Sequence, residues 1–496
     1  TIFTIDGEDA KDLDDAINVY KNEDGNYCLD VHIADVSYYV KEGSKLDKEA
    51  IKRGTSVYMF DRVIPMLPVE LSNGICSLNA GVDRGGMACE MHNNLEGHLL
   101  DYEIFPAIIH VRHRLSYNIV REIIAGDEAL RAKYEDILPM VGLMDELREI
   151  LHNKRAKRGS IDFDLPEQKV ILDDKLKPIE IVQRVHGNAE SIIEEFMLAA
   201  NETVAQHMFK QKWPSVYRVH DFPAEDKMNE LAKLLANFNV KFRVSEEMKS
   251  AEIQRVIKEI EGRPEERLVS TVALRSMKQA VYQTDNIGHF GLAAEYYTHF
   301  TSPIRRYPDL TVHRLLREWM QNPKITSAKA EALTDKLDAI AEHSSLRERA
   351  AADAERATVE LKKCEYMEAH IGEEFDGVIS GVTSYGMFVE LPNGVEGLVH
   401  ISSLVDDYYD FYEERYALVG THTKNQYRLG DKVRIEVLQV NIQDVSIDFI
   451  MAGENAGVRE HIRQQLLGRQ NKSAAYGQKR AGGVSSNKKD KAKEKV

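Results

Sequence analysis

The sequence predicts an α+β protein that ends in a small all-β barrel and a basic tail. Strand-like segments dominate up to about residue 115, and helical periodicity takes over from about residue 118. Short strands separated by Gly and Asn return at 371–450. Strands and helices do not alternate regularly, so a parallel βαβ sheet is not favoured. We therefore expect a mixed sheet surrounded by helices, followed by the barrel.

The composition is that of a soluble globular protein, with 43% hydrophobic and 29% charged residues in 496. This length predicts about three domains. No apolar run approaches the roughly 18 residues of a membrane helix, and no signal peptide opens the chain. The chain begins at Thr1, directly on a strand, so we expect upstream sequence to be missing. Four widely spaced cysteines without a Cys-x-x-Cys pair argue against a disulfide framework and fit a reducing cytoplasm.

The net charge of −16 at first argues against a nucleic-acid partner, but its distribution weakens that objection. Residues 453–496 hold eleven Lys or Arg against four Asp or Glu, so the tail is basic and the rest is more acidic than the total. An acidic body can still bind phosphate where metal ions and a few arginines reverse the local field.

The most informative stretch is an acidic loop between two strand-like runs, at 2–5 and 16–20. It places Asp6, Asp12, Asp14 and Asp15 within ten residues. Carboxylates at this density repel one another unless cations neutralise them, and hard oxygen ligands suit Mg²⁺ or Mn²⁺. The loop therefore predicts a divalent metal site. A solvated acidic loop is the alternative.

Local patterns predict the elements of the first half. A turn at 23–26 joins two strands into a hairpin, and Gly54 ends a short helix. The predicted strands are 16–20, 27–34, 87–91 and 104–115, and the helix is 46–53.

Apolar periodicity predicts the helices that follow. One helix runs from about Pro139 to Gly159, and an extended segment at 160–166 comes after it. Further helices are predicted at 188–210, 224–238, 246–260, 264–280 and 327–368.

The segment 297–307 is the second informative stretch. Ser302 and Pro303 form a good N-cap and first-turn pair, which would place Arg305 and Arg306 in the first turn of a helix. Cations are unfavourable there unless an anion binds at that helix end. The arginines therefore predict a phosphate site, with a salt bridge to Asp309 or to an acidic neighbour as the alternative.

The barrel at 371–450 carries Tyr385, Phe388 and His400 at spacings that allow base stacking on an outer face. A core role for one of the three is the alternative. The tail is predicted to be disordered and to bind polyanions, or only to increase solubility.

Together these motifs resemble the ribonuclease II/ribonuclease R family. The resemblance rests on the acidic stretch, on residues 299–307, and on four shorter motifs in the same order, at 32–36, 56–58, 65–68 and 71–73. It implies an RNB catalytic domain at 1–369, an OB-fold RNA-binding domain of the ribosomal protein S-one type at 370–452, and a Lys-rich tail at 453–496. The tail favours the ribonuclease R branch. The family's N-terminal cold-shock domains are not in this sequence, which leaves substrate selection open.

The resemblance implies a processive 3′→5′ hydrolytic exoribonuclease that acts in RNA turnover and quality control. Such an enzyme releases 5′-nucleoside monophosphates by a two-metal mechanism with Mg²⁺, for which Mn²⁺ can substitute. The implied partner is single-stranded RNA with a free 3′ end, and structured RNA as well. The implied protein is a cytoplasmic monomer without membrane contact, whose basic tail could meet the ribosome or RNA-decay factors. A catalytically inactive RNA-binding adaptor is the alternative.

The resemblance also implies roles for individual residues. Asp14, Arg305 and Glu348 would be catalytic, with Asp14 essential for the chemical step and Arg305 neutralising the scissile phosphate. The implied metal ligands are Asp6, Asp12 and Asp15. The implied RNA contacts are Tyr58 and Phe163, which bracket the stacked bases, Tyr117 and Glu195 near the 3′ ribose, Arg306, and the barrel residues Tyr385, Phe388 and His400.

Overall fold

The structure, a computed structural model, describes residues 1–163, 168–183, 186–245, 248–263 and 265–453. The chain divides into two compact units. The first comprises Thr1–Leu165 and Arg184–Thr358, and the second comprises Pro166–Gln183 and the chain from Val359 onward. The predicted domain bounds at 369/370 and 452/453 stay a prediction, and all but the first residue of the predicted tail lies outside the described residues.

The first unit is built on a closed five-stranded barrel. Its first strand pairs antiparallel with the second and parallel with the last, so the sheet is mixed as predicted. Closure of the sheet into a barrel goes beyond the prediction. Four further short strands form two small two-stranded sheets. The barrel strands, in the order in which they pair, are β1 (Ile2–Asp6), β2 (Asp15–Lys21), β3 (Tyr27–Ala34), β6 (Asp83–Asn93) and β7 (Leu99–Ser116). The short pairs are β4 (Val57–Tyr58) with β5 (Val63–Ile64) and β10 (Tyr217–Val219) with β11 (Val281–Gln283).

Helices cover the barrel, and the predicted bounds of five of them, at 46–53, 139–159, 188–210, 224–238 and 327–368, agree with the structure to within two residues. The predicted helices 246–260 and 264–280 are shorter, and residues 246, 247 and 264 lie outside the described residues. The helix that starts at Lys45 is capped by the Ser44 side chain, which accepts the Asp47 N–H, and ends at Gly54 with φ 73°. The helices are α1 (Val36–Tyr39), α2 (Lys45–Arg53), α3 (Tyr117–Ala125), α4 (Glu128–Lys133), α5 (Leu138–Arg158), α6 (Asn188–Lys210), α7 (Glu225–Asn237), α8 (Ser250–Ile260), α9 (Glu266–Ser276), α10 (Tyr307–Gln321) and α11 (Ser327–Glu368).

Among the described residues of this unit, two main hydrophobic cores and a small cluster around Ala205, Tyr217 and Val219 stabilise the fold. The larger one joins the barrel to α5, α6 and α10, and contains the fully buried Phe3, Phe196 and Leu316. The smaller one lies between α7, α8 and α9, around Leu231 and Val256. Burial of a large apolar side chain stabilises a fold by about 1.5–3 kcal/mol, so the larger core fixes α6 and α10 firmly against the barrel.

The predicted start of α10 is wrong. This helix begins at Tyr307, so Arg305 and Arg306 precede it rather than occupy its first turn. The cause is the fully buried Asp309, whose carboxylate accepts the Ser302 N–H and holds the preceding residues in a turn. The Tyr307 N–H donates to the Gly54 carbonyl instead of joining an earlier helical turn. The helix-dipole argument therefore does not apply to these two arginines.

The second unit contains the predicted small β-barrel, which is confirmed as a closed five-stranded barrel. Gly386 has φ 152°, and a Cβ atom there would lie 2.4 Å from the Val399 carbonyl oxygen, so this close strand pairing requires glycine. The barrel strands, in pairing order, are β12 (Glu374–Thr383), β13 (Gly386–Glu390), β14 (Glu396–His400), β19 (Ser446–Met451) and β18 (Lys432–Asn441). The unit also contains the strand pair β8 (Gln168–Leu172) and β9 (Pro178–Gln183). A further sheet consists of β15 (Tyr409–Tyr412), β16 (Ala417–Gly420) and β17 (Gln426–Arg428).

Within the described ranges, every helix is too short or too polar to cross a lipid bilayer.

Candidate active site

The acidic loop connects β1 to β2 across one end of the first barrel. Leu13, in the middle of the loop, is fully buried. The Ser77 hydroxyl accepts the Leu13 N–H at 3.1 Å and donates to the Lys11 carbonyl at 2.8 Å. The Leu78 N–H donates to the Leu13 carbonyl at 3.0 Å. The backbone of the loop at Lys11 and Leu13 is thus pinned to the body of the protein on its apolar side.

Asp14 is the most deeply buried of the four predicted aspartates, with 4% of its surface exposed. Its Oδ1 accepts the main-chain N–H of Ile304 at 2.9 Å. Its Oδ2 lies 3.8 Å from Nε of Arg305, whose Nη2 also donates to the Ser302 hydroxyl at 3.0 Å. The structure therefore brings Arg305 to the carboxylates, as predicted, although through a turn rather than a helix end.

Burial raises the pKa of three of these carboxylates, those of Asp6, Asp14 and Asp15. Burial raises the pKa of Asp6 to about 9, and the neighbouring Asp15, Asp14 and Asp12 add to this rise. Burial also raises the pKa of Asp15 to about 6 and that of Asp14 well above its usual value, although Arg305 opposes both shifts. Removing this repulsion requires protons or a cation.

The donor atoms fit a hard divalent cation. Asp6, Asp14 and Asp15 each have a buried Oδ2 atom without a hydrogen-bond partner, and unpaired buried carboxylate oxygens are costly. The positions of the side chains, in contrast, do not yet form a metal-binding group. Among the described residues, no group of three His, Cys, Asp or Glu side chains is already arranged to hold a metal ion. The residues therefore fit Mg²⁺ or Mn²⁺ in chemistry, and their side chains would have to converge to bind it.

A cavity of about 590 Å³ opens over the four aspartates. Tyr58 forms part of its wall and donates its hydroxyl hydrogen to Oδ2 of Asp12 at 2.8 Å. The Tyr58 N–H donates to the Glu355 carboxylate at 2.8 Å, which anchors this short strand to α11. The predicted Tyr117 lines the same cavity. The structure thus brings together the aspartates, Arg305 and two of the predicted aromatic residues.

Glu195, the predicted ribose contact, does not line this cavity. It is 4% exposed, and its carboxylate accepts from both Nε and Nη2 of Arg155, the latter at 2.8 Å. The adjacent Glu194 lines the cavity instead. Glu194, Met197 and Asn201 lie on one face of α6 at helical spacing, and this periodicity is the signal that could have identified Glu194 from the sequence.

Three other predicted site residues pack or pair with groups of the protein itself. Phe163 packs against the small core between α7, α8 and α9 and does not line the cavity. Glu348 accepts from Nη1 of Arg218 at 2.6 Å, also outside the cavity lining. Arg306 lines the cavity but donates from Nε and Nη2 to Asp309, at 2.9 and 2.8 Å. For Arg306 the alternative of a salt bridge to Asp309 is confirmed, and its RNA contact stays a prediction.

The predicted aromatic residues of the second unit lie on or next to the paired strands β13 and β14 of its barrel. Gly386 at the start of β13 pairs with His400 at the end of β14. The Tyr385 and Phe388 rings meet edge to face at 6.2 Å, and Tyr385 is 48% exposed. A base can reach these rings, and stacking on them stays a prediction.

Comparison with known proteins gives matches over both units. Residues 1–322 match the RNB domain, and residues 368–451 match the S1 RNA binding domain. The chain is 50% identical to ribonuclease R 1 of Lactococcus lactis, over 90% of this chain and 55% of the relative. It is 46% identical to ribonuclease R of Thermotoga maritima, over 92% of this chain and 64% of the relative. The chain thus spans a little over half to about two thirds of the length of these relatives.

A solved structure agrees with these matches. The structure of Mycoplasma genitalium RNase R in complex with ribose methylated single-stranded RNA superimposes with a TM-score of 0.84. The two sequences are 31% identical, and the match covers 91% of this chain and 70% of that one.

Proposed function

Because the chain belongs to the RNB family of ribonuclease R proteins, we propose that it is a hydrolytic 3′→5′ exoribonuclease. Its substrate is single-stranded RNA, and structured RNA as well, which it degrades processively to 5′-nucleoside monophosphates in RNA turnover and quality control. The observation that carries this proposal is the meeting of four aspartates, Arg305 and Tyr58 around one cavity.

The carboxylates of Asp6, Asp12 and Asp15 would hold divalent metal, with Mg²⁺ as the physiological ion and two ions as the expected number. When bound, such ions activate the attacking water and stabilise the departing 3′ oxygen. Asp14 is fixed by the Ile304 N–H and faces the terminal nucleotide. Arg305 is half-exposed, so its guanidinium would meet the scissile phosphate and offset the charge that develops there.

The cavity wall provides contacts to the last nucleotide. The Tyr58 ring stacks on a base, and stacking tolerates any sequence. Tyr117 and Glu194 would contact the ribose, where hydrogen bonds to the 2′-hydroxyl distinguish RNA from DNA. Glu194 takes this role in place of the predicted Glu195, because Glu194 lines the cavity and Glu195 pairs with Arg155.

RNA is the partner that both units support. The second unit matches an S1 RNA binding domain, and its Tyr385 and Phe388 would stack on RNA. The Mycoplasma relative was solved with single-stranded RNA bound, which supports the same class of ligand here. The inactive-adaptor alternative is disfavoured, because a site that performs no chemistry has no physical need for buried carboxylates that repel one another.

The proposal is tested with 5′-labelled single-stranded RNA in Mg²⁺, with and without EDTA. We expect a short labelled limit product and released nucleoside monophosphates, both abolished by EDTA. Internal cuts would overturn the assignment. Nucleoside diphosphates formed on addition of inorganic phosphate would show phosphorolysis instead of hydrolysis.

A further inference from the structure

His299 lines the cavity above the aspartates, and no role has been given to it so far. It lies in the segment that also carries Ser302 and Arg305, so it faces the same space as the proposed phosphate contact. Its Nδ1 atom lies 2.7 Å from the hydroxyl oxygen of Tyr282. Tyr282 itself is 5% exposed, so this hydrogen bond is sheltered from water.

The direction of this hydrogen bond follows from the surroundings of Tyr282. Within the described ranges, the Tyr282 hydroxyl has no hydrogen-bond partner other than His299. A buried hydroxyl hydrogen without an acceptor is costly, so Tyr282 donates to Nδ1 of His299. Nδ1 then carries no hydrogen, and the proton of the neutral ring lies on Nε2.

The charges around His299 keep its ring neutral. Burial lowers its pKa well below the usual value, and the cations of Arg306, Arg218 and Arg305 lower it further. Its Nε2–H is therefore a hydrogen-bond donor that persists across neutral pH.

Tyr282 is held by contacts that reach the predicted Glu348. The Arg218 guanidinium lies over the Tyr282 ring, 4.7 Å from its centre, and donates to Glu348 at 2.6 Å. The Tyr282 N–H donates to the Ser345 hydroxyl at 2.9 Å. Glu348 is thus linked to His299 by a series of contacts behind the cavity wall. Glu348 pairs with Arg218, and Tyr282 contacts both Arg218 and His299.

We propose that His299 is an RNA-contacting residue whose Nε2–H donates a hydrogen bond to an oxygen of the 3′-terminal nucleotide, and that Tyr282 is its positioning residue. This inference rests on the proposed exoribonuclease function and adds a substrate contact to it. The acceptor is a phosphate or a ribose oxygen, since both are strong acceptors at that end of RNA.

The test compares variants in two assays, anisotropy of a fluorescein-labelled oligoadenylate in EDTA and hydrolysis of the same RNA in Mg²⁺. His299→Ala is expected to weaken binding and kcat/KM by about three- to tenfold, the effect of one lost hydrogen bond. His299→Gln retains a side-chain donor and should restore part of the loss. Tyr282→Phe should show a smaller loss, and the double variant should be no worse than His299→Ala.

Tyr296→Phe is the matched control, because its hydroxyl donates to the adjacent Glu295 on the surface. It should match the wild type in both assays. Terminal 2′-deoxy and phosphorothioate RNAs separate the two acceptors, because the penalty of His299→Ala should vanish for the RNA that lacks the contacted oxygen.

The outcomes distinguish the two proposals. If the wild type cuts and binds RNA and His299→Ala matches it in both assays, the His299 contact is refuted and the exoribonuclease proposal stands. A loss in His299→Ala that His299→Gln does not restore at all also refutes the donor role. If the wild type binds RNA but never releases monophosphates, the proposed function fails, while a binding loss in His299→Ala would still support the contact.

Discussion

The main-chain N–H of Ile304 donates to Oδ1 of Asp14 at 2.9 Å, across 290 residues of sequence. This hydrogen bond joins the acidic loop to the turn that carries Arg305. Asp14 and Arg305 therefore keep their relative position only while the first barrel and the start of α10 are packed together. The candidate site is a property of the whole first unit, not of either motif alone.

Substitution of Arg305 should reduce activity, whereas substitution of Arg306 should reduce stability. Arg305→Ala should cost no more than about 1 kcal/mol of stability, because this half-exposed guanidinium lies 3.8 Å from Asp14 and the Ile304 N–H still binds that carboxylate. It should lower kcat for RNA hydrolysis by about 100-fold, because a charge-stabilising donor is lost. Arg306→Ala should instead destabilise the fold by about 3–5 kcal/mol, because it leaves the fully buried Asp309 without its ion pair. Denaturant unfolding and steady-state kinetics of both variants check this contrast. Equal stability losses in the two variants would contradict it.

The adjacent glutamates on α6 provide a second contrast. Glu195→Ala removes the buried carboxylate that pairs with Arg155 and should destabilise the fold by about 3 kcal/mol, because Arg155 keeps its ion pair with Asp162 at 2.6 Å. Glu194→Gln should leave stability within about 0.5 kcal/mol and reduce the preference for RNA over DNA. The measurements are urea unfolding and competition between ribo- and deoxyribo-oligonucleotides. Intact discrimination in Glu194→Gln would remove this residue from the ribose contact.

Tyr58 should contribute to binding rather than to folding. Tyr58→Ala removes an aromatic surface that is 39% exposed and should weaken RNA binding by about 1–3 kcal/mol, the value of one stacked base. Tyr39→Ala removes a tyrosine of similar exposure that does not line the cavity, and should leave binding unchanged. Anisotropy titrations of both variants test this, and equal affinities would exclude the stacking role.

The effects of Mg²⁺ and of pH on the stability of the fold should be linked through the carboxylates. Burial raises the pKa of Asp6 from 3.8 to about 9, so the folded metal-free protein binds more protons than the unfolded chain between these values. The contribution of Asp6 to stability in EDTA should therefore fall as the pH rises from about 4 to about 9. Mg²⁺ should oppose this fall, by about 2.7 kcal/mol at 100 times its dissociation constant.

Asp6→Asn is the variant that tests this linkage. It should raise the unfolding midpoint in EDTA near pH 8 and reduce the gain from Mg²⁺, because one repelling carboxylate is gone. Thermal unfolding of both proteins across pH, with and without Mg²⁺, measures the effect. A wild-type midpoint that does not respond to Mg²⁺ would refute metal binding at the aspartates.

Much of the fold was predictable because it is encoded locally. The bounds of α6 and α11 were predicted as the structure has them, since long apolar periodicity defines a helix without tertiary information. The predicted family membership and the S1-type barrel are confirmed as well. Closure of the first barrel was not predictable, because the parallel pairing of β1 with β7 joins residues more than 100 positions apart and leaves no local pattern.

The site residues that lie in one contiguous motif were predictable from the sequence. Those whose place depends on tertiary packing were not. Asp6 to Asp15 form one contiguous loop, so their density alone indicated the site. Glu194 and Glu195 are neighbours on the same helix, yet neighbouring helical residues point about 100° apart, and only packing decides which one lines the cavity. The start of α10 was missed because the buried Asp309 outcompetes the local Ser-Pro capping signal.

The most direct test of the account is the activity of Asp14→Asn on 5′-labelled single-stranded RNA in Mg²⁺. Asparagine retains an oxygen for the Ile304 N–H, so the variant should fold, and thermal unfolding verifies that. Asp9→Asn, an exposed position of the same loop, is the matched control and should degrade RNA like the wild type. We predict a loss of at least about 100-fold in monophosphate release for Asp14→Asn alone. Activity within a few-fold of the wild type in that variant would contradict the account.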